Sequence, residues 1–91
     1  MKTAWVALYN NMDGDFEIIA VSESLERLEL AMLQRIEEII NNGEELGYDR
    51  YEENDQVVYR VGDKYFSDET GMLLDFEPFE WYTLTKYELL V

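Results

Sequence analysis

The chain is 91 residues long and sets 21 Asp and Glu against 7 Lys and Arg, a formal net charge of −14 at pH 7. Disorder is excluded, because 47% of positions are hydrophobic and 14% aromatic, and disordered segments are poor in both. The length fits a single domain over residues 1–91, and the absence of His and Cys removes the common general base, the thiol nucleophile and every soft metal ligand.

Residues 3–9 (TAWVALY) are rich in types that favour a pleated, half-buried surface and predict a strand. Asn10, Asn11, Met12, Asp13 and Gly14 supply turn chemistry, and residues 15–21 (DFEIIAV) read as the return strand of a β-hairpin. Ser22 and Ser24 are candidate N-caps for a helix running to about Asn41. Its apolar arc is Leu25, Leu28, Met32, Leu33, Ile36, Ile39 and Ile40, with Asn41, Asn42 and Gly43 as the stop. Leu30 falls on the polar face of that helix and Glu29 beside the apolar arc.

Residues 44–55 (EELGYDRYEEND) hold six acids and one base and suit a loop or short helical turn. Residues 56–61 (QVVYRV) and 64–67 (KYFS) predict a second hairpin turning at Gly62 and Asp63, with a further turn at residues 68–71. Residues 72–79 admit a short helix or an extended segment, since Pro78 forces extension on the residue before it. Residues 80–90 (EWYTLTKYELL) read as a closing strand, a candidate exposed edge. The order is ββαβββ, and the expected class is α+β: an antiparallel sheet of about five strands with one helix on one face. The first hairpin, the helix and the closing strand resemble small ββα-type domains common in bacterial and phage genomes.

Catalysis is not expected. Carboxylate pairs alone need a dry cleft that raises one pKa, and a single thin layer has little room for one. Asn11, Asp13, Asp15 and Glu17 alternate suggestively, but Gly14 is the fourth residue of that run, whereas a calcium loop of the EF-hand type needs its Gly sixth and a Glu twelfth. No metal and no cofactor is expected. No run approaches the roughly 20 apolar residues of a membrane span, and anionic lipid and nucleic-acid phosphates repel so acidic a chain. A cytoplasmic protein that binds neither directly is the expectation, one that salt stabilises by screening its self-repulsion.

Two acidic regions remain. The first holds Glu37, Glu38, Glu44, Glu45, Asp49, Glu52, Glu53 and Asp55, with Arg50 as its one offset; the second holds Asp63, Asp68, Glu69, Asp75, Glu77 and Glu80, interrupted by Lys64. Six aromatics lie among these acids: Tyr48, Tyr51, Phe76, Phe79, Trp81 and Tyr82, of which Phe76, Phe79 and Trp81 suit a core. Carboxylates at strand or helix spacing of roughly 5–7 Å imitate the spacing of backbone phosphates. The first region together with Tyr51 is the candidate partner-binding surface.

In size, acidity and residue repertoire the chain resembles phage-encoded nucleic-acid mimics of the anti-CRISPR and anti-restriction class. The resemblance implies a noncatalytic inhibitor and a basic protein partner, such as a nuclease or effector whose nucleic-acid groove it occupies. The alternative is a regulatory interaction module, an immunity or antitoxin protein, or a small homodimer.

Overall fold

The computed structural model describes residues 2–42 and 45–89. Its elements are β1 (Lys2–Asn11), β2 (Phe16–Ser22), α1 (Leu25–Asn41), β3 (Leu46–Glu53), β4 (Gln56–Phe66) and β5 (Leu73–Leu89). The five strands form one antiparallel sheet in the order β2-β1-β5-β4-β3, and α1 lies across one face. The expected α+β class, strand number and element order are therefore correct.

The first hairpin closes as its turn chemistry predicts. The Asn11 side-chain oxygen accepts hydrogen bonds from the backbone N–H groups of Asp13 and Asp15, both at 3.0 Å, and Gly14 takes φ 85°, a left-handed conformation that costs glycine nothing. The Asn and Asp residues of this run thus tie a turn together. At the helix start the Ser24 hydroxyl accepts from the Arg27 N–H, and Asn42 caps the other end. Gly43 and Glu44 lie outside the described residues.

Two local expectations after the helix are overturned, and one left open is resolved. Residues 46–53, expected as loop or helical turn, form the edge strand β3. Its turn into β4 is Asn54-Asp55, both with positive φ (50° and 63°), the backbone of a two-residue I′ hairpin turn that Asn and Asp tolerate. Gly62 and Asp63 are no turn: they continue β4 and pair with Pro78 and Glu77. Glycine is needed at 62 because β5 passes so close that a Cβ would overlap the Glu77 backbone. Residues 72–79, left between helix and extended, are extended from Leu73 onward.

The closing strand is also no edge. β5 lies in the middle of the sheet, paired with β1 on one side and β4 on the other. The true edges are β2 and β3, and the charges of β3 (Asp49, Arg50, Glu52 and Glu53) oppose pairing with a foreign strand.

The core lies between α1 and the sheet. Leu28, Met32 and Ile36 of α1 pack on Ala7, Val57, Tyr59, Val61, Tyr82 and Leu84, with Phe79 against their margin. Of the expected core aromatics, Phe76 and Trp81 are only partly buried, whereas Tyr82 is fully buried. Pairing with Tyr9 and Tyr59 turns Tyr82 to the helix and Trp81 away from it, and a bulge puts Phe76 on the same face as Trp81: the register slips between Val61 and Gly62, leaving Phe79 unpaired.

The molecule is elongated, 58 × 25 × 25 Å. β3 reaches no further along β4 than Asp63, and β1 no further along β5 than Glu80. Beyond those points β4 and β5 continue as a two-stranded arm with Tyr65, Phe66, Met72, Leu73 and Leu74 exposed near its tip.

Candidate partner-binding surfaces

The sheet separates two surfaces of unlike chemistry. On the helix side, Trp5, Ala7 and Tyr9 of β1 stand opposite Lys86, Leu84 and Tyr82 of β5, and Val57, Tyr59 and Val61 of β4 stand opposite Glu52, Arg50 and Tyr48 of β3. On the far side the register lines up three rows across all five strands: Val21, Val6, Thr85, Gln56, Glu53; Ile18, Leu8, Thr83, Val58, Tyr51; and Phe16, Asn10, Trp81, Arg60, Asp49. No helix covers these rows. A bulge at Ile19 lets Ile19 and Ala20 both join the core while Phe16, Ile18 and Val21 stay outside, 70%, 66% and 60% exposed.

Charge follows the same division. In the body of the sheet the helix-free face holds the carboxylates Asp49 and Glu53 and, by strand alternation, the cations Lys2 and Arg60. These cancel, so among the described residues the acidic surplus resides on the helix side, the turns and the arm. Asp49 is held by Arg60, whose Nε donates to Oδ1 at 2.9 Å and whose Nη2 completes a bidentate pair. That guanidinium lies over the rings of Tyr51 (5.2 Å) and Phe76 (5.7 Å).

The sheet therefore divides the expected acidic site. Asp49, Tyr51 and Glu53 are on the helix-free face, Glu52 is on the helix side, Glu37 and Glu38 are exposed on α1, and Glu45 and Asp55 lie in the connections flanking β3. Glu44 lies outside the described residues. Glu52, Glu53 and Asp55 do come together, around an open cleft of about 890 Å³ that Glu88, Lys86, Trp5 and Leu25 also line. The contribution of β5 to this cleft could not be read from spacing, since it depends on Thr85 pairing with Gln56.

Several acids serve internal contacts. Besides Asp49, Glu29 accepts from Arg50 Nε at 2.6 Å and from the Tyr59 hydroxyl at 2.8 Å, fastening α1 to β3 and β4. Arg50 also reaches Glu52 at 3.2 Å, and Glu80 accepts from the Tyr9 and Tyr82 hydroxyls. Burial, reinforced by the neighbouring carboxylate, pushes the phenols of Tyr59 and Tyr82 up to about 12. The ordinary tyrosine value is about 10, so the folded state holds these two protons where the unfolded state releases them. Their stabilisation is complete below pH 10 and is lost as pH rises to 12. An alkaline titration that follows tyrosinate absorbance and circular dichroism together should show unfolding begin in that interval; stability unchanged across it would refute the assignment.

Among the described residues no group of three or more acidic side chains is placed to hold a metal, and no helix is long and apolar enough to cross a membrane. No protein family, curated protein or solved structure matches the chain.

Proposed function

We propose that this is a noncatalytic binding protein whose carboxylates occupy a basic groove of a partner protein and keep nucleic acid out of it. The observation that supports this reading is the one-sided charge: among the described residues the acidic excess is borne by α1, the connections flanking β3, the cleft rim and the arm, while the opposite face of the sheet is neutral. A field sorted in this way orients the molecule as it approaches a cationic surface and raises its association rate. Glu37 and Glu38 on α1, Glu45 just before β3, and Glu52, Glu53 and Asp55 around the cleft at the other end of that strand, are the carboxylates this reading uses. Asp49 contributes little, being neutralised by Arg60.

The exposed apolar arm tip favours a second reading, because phosphate-binding grooves offer nothing to Phe66, Met72, Leu73 and Leu74. An immunity or antitoxin protein would insert such a tip into an active-site cleft.

Competition separates the two. Nucleic-acid-binding proteins retained by the immobilised chain are challenged with duplex DNA, and mimicry requires that DNA release them. Retention at saturating DNA rejects mimicry and supports the second reading. Reversal of Glu45, Glu52, Glu53 and Asp55 to Lys should weaken a mimic's binding by roughly 100-fold or more, several close charge pairs being lost together. Reversal of Asp63, Asp68, Glu69 and Asp75 should matter less; equal loss from both sets would mean that net charge and no located surface is responsible.

A further inference from the structure

We propose that the helix-free face of the sheet is covered by the same face of a second copy of this chain, giving a homodimer of two stacked sheets with the helices outermost. Across β2, β1 and β5 the three central rows are Phe16, Ile18 and Val21; Val6, Leu8 and Asn10; and Trp81, Thr83 and Thr85, without a single charge. Tyr87 and Leu89 extend the apolar surface along β5. Large contiguous apolar patches on an otherwise highly charged protein mark contact surfaces.

Charge selects the occupant. A basic partner has nothing to grip here, because Lys2 and Arg60 already balance Asp49 and Glu53. A second copy presents an equally neutral face. Apart from Asp49 and Glu53, which are matched in number by Arg60 and Lys2 on the same face, the carboxylates of each copy then point away from the junction, at least one sheet-to-sheet spacing of about 10 Å apart, which is also about the Debye length at 0.1 M salt.

The area suffices. Five strands at about 4.8 Å spacing, seven residues long at about 3.3 Å each, project roughly 24 × 23 Å. Side-chain relief takes the accessible area toward the ~800 Å² per partner of a standard interface. Two twisted sheets stack face to face at about −30°, and a twofold axis makes the contact self-complementary and closed. The arrangement also supplies the second layer that a sheet apolar on both faces requires.

The test is sedimentation equilibrium of the full chain at low and high salt, with circular dichroism to confirm folding. A dimer at micromolar concentration that tightens as salt rises is expected, because the interface is apolar and only the distant like charges are screened. This sign is opposite to that of a basic partner gripped by carboxylates, which salt loosens, so either result can fail without the other. Ile18→Lys and, independently at the far end of the patch, Tyr87→Ser should each weaken the dimer on the order of tenfold or more. Leu30→Lys, on the exposed side of α1, should leave it unchanged. A monomer at every concentration and salt, a dimer that loosens with salt, or a dimer indifferent to both face variants overturns the proposal.

Discussion

Replacing Gly62 by Ala is expected to lower stability by about 3 kcal/mol or more, through overpacking against backbone that cannot swing aside. An added Cβ would overlap the Glu77 carbonyl oxygen and lie 2.5 Å from Pro78 Cα and 2.6 Å from Glu77 C. Relief requires moving β5 away from β4 beside the bulge at Phe79. For a domain of this size the loss should lower the melting temperature by roughly 10–20 °C. Gly47→Ala is the control: there the Cβ meets only the flexible Lys64 side chain, which can rotate out, and the change should cost under about 1 kcal/mol. Equal thermal midpoints for the two variants would show that close approach is not the reason for glycine at 62. Amide exchange should place the G62A effect first in the arm, because only β4 and β5 hold it.

Glu29→Ala is expected to destabilise by about 2–3 kcal/mol, although it removes one negative charge from a chain at −14. Self-repulsion alone predicts the opposite sign. Local chemistry wins because Glu29 is the acceptor for the Tyr59 hydroxyl and Arg50, and Tyr59 is only 2% exposed, so its O–H is left without a partner in the core. The ion pair itself adds little, since the Arg50 side chain is 38% exposed. Glu29→Gln keeps a neutral acceptor and should recover part of the loss. The tyrosine titration gives a second reading of the same contact: burial remains the main cause of the raised Tyr59 pKa, but without Glu29 that value should fall from about 12 toward 10. A Glu29→Ala protein more stable than the parent would show that net repulsion outweighs this fastening.

The elements legible in the sequence are those whose signals are local. The first hairpin could be read because Asn11 and Gly14 form their turn without help from the rest of the fold. The helix could be read because Leu28, Met32 and Ile36 recur at its own period. Even the misplaced Glu29 was visible as an acid beside the apolar arc, though not the Tyr59 and Arg50 waiting opposite it. β3 was hidden: its eight residues carry four charges, and what makes them a strand is pairing with β4 and the grip of Glu29 on Arg50. The Gly62-Asp63 pair misled for a related reason. Gly before Asp serves equally as turn chemistry and as room for a neighbouring backbone, and only the position of β5 decides between them.

The candidate site divides along the same line. Sequence alone determined the size of the charge surplus, the missing His and Cys, the helix with its apolar arc, and the apolar character of both parities of residues 3–9, since composition and short-range periodicity need no partner strand. Only the tertiary structure decided which face each side chain takes. A strand alternates with period 2, so one bulge or a one-residue slip exchanges its faces. The register of β5 against β1 and β4 settled that Tyr82 faces the core and Trp81 the other side, alternation along β3 parted Asp49 and Glu53 from Glu52, and the bulges at Ile19 and Phe79 put Ile18 and Phe76 on the helix-free face, so that one face of an intensely acidic protein is left apolar and neutral.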